Sequence, residues 1–178
     1  NLALSKIWAH WDFGGRALSP MGKRTMIERL PGANGLTFLN LASMGLAGAI
    51  PPELAGCMSL KPLDVSKNRL AGPIPVAVLK LRYAAKRVVH LEGNAGLEIP
   101  PDVGELTETV ARDKGVDLGN LGLVGPIPVA VLRWKFVEGH DVNLRANAAL
   151  ELPANIGELG DTVATIALSH HHLRGRIP

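Results

Sequence analysis

Apolar positions in this chain come in short alternating bursts, and each burst falls on the same frame. The clearest copy is Leu60-x-x-Leu63-x-Val65-x-x-Asn68-x-Leu70-x-Gly72-x-Ile74-Pro75. Leu63 and Val65 bracket one polar residue, Asp64, so this stretch reads as a short strand with one face turned inward. The frame also fits Leu36, Leu39, Leu41, Met44, Leu46, Gly48 and Ile50-Pro51. It returns at Val116, Leu118, Leu123, Gly125 and Ile127-Pro128, and last at Ile166, Leu168, Leu173, Gly175 and Ile177-Pro178. Two copies are one residue shorter before the proline step, Asn94 to Ile99-Pro100 and Asn147 to Leu152-Pro153. A degenerate first copy runs through Trp11-x-Phe13, Arg16 and Leu18.

The copies pair into a longer period. Gly72-Pro73-Ile74-Pro75-Val76-Ala77-Val78-Leu79 recurs letter for letter from Gly125 to Leu132, an offset of 53 residues. Gly104-Glu105-Leu106 returns at Gly157-Glu158-Leu159 with the same offset. The residues standing at the asparagine position are Arg16, Met44, Asn68, Asn94, Leu121, Asn147 and His171, spaced 24, 26, 27, 26 and 24 apart from Met44 onward. A coil of about 25 residues cannot bury its inward face alone, so successive coils must stack in parallel as a solenoid, which presents a surface to partners. Within a coil, the asparagine amide can serve backbone groups that the turn leaves unpaired. The glycine frees the next bend, and the proline fixes φ at the exit of a second short extended piece.

This frame resembles the plant-type leucine-rich repeat, LxxLxLxxNxLxGxIP. The likeness covers nearly the whole chain from about Gly35, and more loosely from Trp8. It implies an α/β leucine-rich repeat solenoid: a right-handed superhelix with a concave parallel β-sheet and short convex helical or 3-10 segments. Residues 1–34 then form a degenerate N-terminal repeat or capping region, and 35–178 the array of about six repeats, the last truncated. Met44, Leu121 and His171 replace the ladder asparagine. The strand-entry leucine is missing at Lys86, Asp113 and Gly139, where looser convex segments are expected.

Composition narrows the function classes. The chain is 47% hydrophobic, which excludes disorder as its main state, and only 4% aromatic, so its core is aliphatic. A net charge of +3 without a basic block interleaved with aromatics excludes a nucleic-acid partner. No apolar run is long enough to span a bilayer, so no membrane contact is expected of this segment. Cys57 is the single cysteine, and none of the nine asparagines opens an Asn-x-Ser/Thr sequon. Both facts favour a reducing, unglycosylated setting. The chain begins at Asn1 and stops at Pro178 inside a repeat, as a piece of a longer protein would.

The resemblance implies that ligands meet the concave sheet. The residue between the two strand leucines runs Asp12, Asn40, Asp64, His90, Asp117, Asn143 and Ala167, polar in all copies but the last. Lys67, Glu92 and Arg145 flank that column, with Ser43, Ser66, Asn120, Ser169 and His170. Water-facing strand positions are polar without any partner, so a single residue decides little; the column as a whole reads as a binding strip for a polar or charged protein or peptide. On the opposite side, Lys80, Arg82, Lys86 and Arg87 precede the acidic Asp102, Glu105 and Glu108. Arg133 and Lys135 likewise precede Glu158 and Asp161, an alternation that sets opposite charges across coil boundaries.

Other features favour plain structural roles. Cys57 suits a small buried apolar group. His170-His171-His172 lie on a strand-to-turn segment where adjacent side chains diverge, so no metal site is expected. Gly119-x-x-Gly122-x-x-Gly125 lacks dinucleotide spacing, and no phosphate loop, GxSxG elbow or HExxH occurs. Trp8, Trp11 and Phe13 suit a core or cap. The reading is a non-catalytic recognition module without cofactor, whose open ends could self-associate. Two settings fit: a signalling or scaffold protein of the cytoplasm, or the outer part of a receptor-like kinase or secreted inhibitor-like protein.

Overall fold

The computed structural model describes residues 11–12, 39–50, 52–56, 62–83, 87–113, 115–147 and 149–159. Cys57, Lys86, Ala167 and the histidines 170–172 lie outside them, as do Trp8 and Phe13. Each described coil runs from a short strand through a tight turn to a second extended segment, then a helical segment that returns the chain to the next coil.

The leading strands are β1 (Trp11–Asp12), β2 (Leu39–Asn40), β4 (Leu63–Asp64), β6 (Val89–His90), β8 (Gly115–Asp117) and β10 (Asp141–Asn143). The second extended segments are β3 (Ala47–Gly48), β5 (Arg69–Pro73), β7 (Gly96–Glu98), β9 (Val124–Pro126) and β11 (Ala149–Glu151). The helical segments alternate in kind. After the Pro75 and Pro128 steps stand α-helices α1 (Val76–Tyr83) and α3 (Val129–Phe136). The Pro101–Leu106 segment is a 3-10 helix that leads into α2 (Thr107–Asp113). The segments Pro52–Gly56 and Ile156–Leu159 are also 3-10. The duplicated Gly-Pro-Ile-Pro-Val-Ala-Val-Leu phrase therefore folds into the same strand-to-helix unit twice.

All pairing is parallel, as stacked coils require. The first sheet falls into two pieces, β1-β2-β4-β6 and β8-β10, while the second sheet is continuous in the order β3-β5-β7-β9-β11. Between the sheets and the helical side lies one aliphatic core. Leu41, Val65, Leu91, Leu118 and Leu144 form its first buried row, each at most 2% exposed. Leu46, Leu70, Leu97, Leu123 and Leu150 form a second buried row, and Ile50, Ile74, Ile99 and Ile127 a third. Each buried aliphatic side chain contributes roughly 1.5–3 kcal/mol of transfer free energy. Trp134 is a fully buried aromatic, and its ring nitrogen donates to the Thr107 hydroxyl at 3.4 Å.

The ladder asparagines hold turn to turn. Asn147 Oδ1 accepts the Leu121 and Leu123 N–H groups, while its Nδ2 donates to the Leu118 and Leu144 carbonyls. Asn68 does the same for Met44 and Leu46, and for Leu41 and Val65. Met44 and Leu121, which replace the ladder residue, are buried apolar side chains that hand no amide to the preceding coil. The residue just before the ladder position is left-handed in every described coil: Ser43, Lys67, Gly93, Asn120 and Ala146, with φ from 52° to 75°.

The concave strip as a candidate site

Pairing register brings the polar column together. Asp12 faces Asn40, Asn40 faces Asp64, and Asp64 faces His90 across β1, β2, β4 and β6. Asn143 faces Asp117 across β10 and β8. The side chain of Asp12 lies outside what is described; the others are partly or fully exposed.

Four of these side chains already have local work. Asn40 Oδ1 accepts the Ala42 N–H, and Asp64 Oδ1 that of Ser66, each at 2.9 Å. Asp117 Oδ1 accepts the Gly119 N–H at 2.9 Å, and Asn143 Oδ1 that of Arg145 at 3.0 Å. Each oxygen starts the turn that follows its strand. Asn143 Nδ2 also donates to Asp117 Oδ1 at 2.8 Å, so these two column residues are joined directly. A Cβ at Gly119 would meet Asn143 Nδ2 at 2.5 Å, so a side chain there would displace the Asn143 amide from this pair. Alternation alone hides this double duty.

His90 departs from that pattern. Its Nδ1 lies 3.1 Å from Glu92 Oε1, with both side chains about two-fifths exposed. Lys67 sits in the left-handed turn with its side chain exposed, and Arg145 is exposed at the same edge of the strip. Asp141 is also exposed one strand step before Asn143, a carboxylate on the same face that the sequence column omits.

Tyr83, at the end of α1, was not legible as a strip residue. Its hydroxyl donates to the Asp117 carbonyl, reaching across the place where the first sheet divides. Burial pushes this phenol up to about 12; the Arg82 charge opposes that rise and the Asp117 charge adds to it. Arg82 stands over the Tyr83 ring at 5.6 Å, and its Nη1 is buried without an acceptor among the described residues. The signal was in the long period: Lys135-Phe136 repeats Arg82-Tyr83 with a ring that carries no hydroxyl. There the cation again lies over the ring, at 6.0 Å, and Lys135 Nζ donates to the Val142 carbonyl.

A second concavity of about 530 Å³ opens beside the second sheet, lined by Glu98, Ile99, Pro101, Pro126, Pro128 and Pro153 among others. Two of its lining residues, Glu98 and Asn155, carry polar side chains, and Asn155 Nδ2 is already engaged with Glu158 Oε1 at 2.9 Å. Among the described residues no cluster of His, Cys, Asp or Glu could hold a metal ion, and no helix is long and apolar enough to cross a membrane.

No family model matches the chain. The chain is 36% identical over 76 residues to the LRR receptor-like serine/threonine-protein kinase GSO2 of Arabidopsis thaliana, covering 42% of this chain and 6% of that protein. It is 52% identical over 42 residues to the inactive LRR receptor-like serine/threonine-protein kinase BIR2 of the same plant, covering 24% of this chain and 7% of that protein. It therefore spans a small fraction of the curated relatives that it matches. Among solved structures, a plant ice-binding protein overlays with a TM-score of 0.45 at 27% identity, over 70% of this chain and 37% of that one.

Proposed function

This chain is a plant-type leucine-rich repeat array, and from that premise we propose that its concave strip recognises a protein or peptide without catalysing a reaction on it. One observation carries the proposal: Asn40, Asp64 and His90 share one register row, and Asp117 and Asn143 another. Such a row offers polar contacts at each coil step to a ligand lying along the array. The contact set comprises Asp12, Asn40, Asp64, Lys67, His90, Glu92, Asp117, Asn143 and Arg145. The receptor-like names of the relatives support placing this array in the ligand-binding part of a receptor-like protein.

The experiment keeps the turns intact. Asp64→Asn, Glu92→Gln and Asp117→Asn together remove three charges while preserving the side-chain oxygens that the turns use. Capture of partners from an extract of the source tissue should fall sharply with this variant, with the circular dichroism spectrum unchanged. Undiminished capture overturns the reading and moves recognition to another face.

A second setting, an internal scaffold or signalling protein, is favoured by the single cysteine and the absence of sequons. The adjoining coding sequence separates the two: a membrane span followed by a kinase supports the first, a nucleotide-switch domain the second.

A further inference from the structure

We infer that the division of the first sheet between His90 and Asp117 is the anchoring point of the strip, built to receive a main-chain carbonyl of an extended, basic peptide. This rests on the concave reading above.

The observation is a gap in an otherwise regular set of backbone bonds. The residue after the column residue donates to the next coil: Leu41 to the Asp64 carbonyl, Val65 to His90 and Leu118 to Asn143. The residue two positions further donates likewise, as Ser43 does to Ser66, Lys67 to Glu92 and Asn120 to Arg145. The residue between these two donates to the column side chain itself, as Ala42, Ser66, Gly119 and Arg145 do. In the His90 coil the three equivalent donors are Leu91, Glu92 and Gly93. Among the described residues, none of these N–H groups has a partner.

The sequence explains the gap. His90 places a ring where its neighbours place an Asx oxygen, so the Glu92 N–H goes unmet. Tyr83 occupies the Asp117 carbonyl that register would assign to Leu91. Leu121 replaces the asparagine that would tie this turn to the next, at the widest ladder spacing from Met44 onward, the 27 residues from Asn94. In the other coils the Glu92-equivalent N–H points at a column side chain, and those face the strip. The Glu92 N–H therefore opens toward a ligand lying there.

Charge selects the acceptor. Asp64, Glu92 and Asp117 surround the opening, so a ligand carboxylate or phosphate is repelled and a neutral carbonyl is not. Asp64 and Asp117 each engage Oδ1 within the fold, while Oδ2 has no partner among the described residues and can meet a Lys or Arg on either side of the bound carbonyl. Lys67 stands beside Gly93 and donates its N–H to the Glu92 carbonyl, so one lysine faces these three carboxylates and the opening keeps a negative balance.

The test begins with a random peptide library displayed on phage and panned against the whole chain; the best binder is then synthesised as the probe. Enriched sequences should carry Lys or Arg, and the Glu92 amide resonance should shift on titration with the probe. His90→Asn supplies the missing oxygen, as Asn40 and Asn143 do in their coils, and should weaken binding about tenfold, the worth of one hydrogen bond. His90→Ala leaves the N–H open and should retain binding. Equal affinity of His90→Asn and wild type, or a Glu92 amide that does not move, overturns the anchoring point. If Asp64→Asn with Asp117→Asn still abolishes that binding, the concave reading survives alone. Probes that bind all variants equally, or no enrichment at all, overturn both.

Discussion

Lys80 on α1 lies 2.6 Å from Glu105 in the next coil, Nζ to Oε2, and the same two positions meet again one long period later. There Arg133 Nη2 donates to the Glu158 carbonyl at 3.2 Å. The alternating charge of the helical side thus meets as an ion pair at the first of these boundaries, while at the second the arginine takes the backbone carbonyl of the acidic residue. Arg82 and Lys135 do not join in; both turn onto the neighbouring aromatic ring. Both partners of the Lys80 pair are about half exposed, so its worth is small, ~0.2–1 kcal/mol. Lys80→Glu should lower denaturant stability by about that amount at low salt, and Glu105→Lys added to it should restore most of the loss. No recovery in the double variant would show that the pair does not couple the coils.

Asn147 sets a larger effect. Its side chain satisfies two N–H groups and two carbonyls in the interior, and it is 2% exposed. Asn147→Leu removes the partner of all four and leaves Leu121 and Leu123 with buried unmet donors, each costing about 1–3 kcal/mol. A loss of roughly 3 kcal/mol or more in urea unfolding is expected. A loss below about 1 kcal/mol would mean that water serves those groups as well as the amide does.

The fold was legible because its frame repeats. Leu63-x-Val65 needs only alternation, and Asn68 only the knowledge that a turn strands its backbone groups. The division of the first sheet was harder to see. Leu121 and the long spacing flagged that turn, yet only the tertiary reach of Tyr83 shows which carbonyl is diverted. For the candidate strip, alternation found the column but missed that Asn40, Asp64, Asp117 and Asn143 hold their own turns. A residue's face follows from period two, but its hydrogen-bond partners depend on turn geometry that the apolar pattern does not encode.

Ala146 carries a strain that can be relieved. It is exposed, it adopts φ of 57°, and the equivalent residue one coil pair earlier is Gly93 at 75°. A left-handed non-glycine residue costs about 1–2 kcal/mol, while the extra freedom of glycine in the unfolded chain returns about 0.5–1. Ala146→Gly should therefore raise stability by roughly 0.5–1 kcal/mol. Gly93→Ala should do the reverse and more, because its Cβ would sit 3.2 Å from the Lys67 backbone. Equal midpoints for Ala146→Gly and the parent would remove strain from this turn.

Tyr83 gives the array a reporter at its divided sheet. It is the chain's only tyrosine, so alkaline titration of tyrosinate absorbance reads this one hydroxyl. Burial first, opposed by Arg82 and aided by Asp117, moves it from 10.0 to about 12. The folded state thus holds the phenolic proton through a pH range in which the unfolded chain releases it. Its contribution to stability is complete below about pH 10 and is lost as pH rises toward 12. Unfolding midpoints should fall over that window in the parent, and this part of the fall should vanish in Tyr83→Phe, which has the ring that Phe136 already presents. The variant also frees the Asp117 carbonyl for the Leu91 N–H, so slower amide exchange at Leu91 should accompany it. A tyrosinate midpoint near 10, or unaltered exchange at Leu91, would show that the hydroxyl does not hold the two halves of the sheet apart.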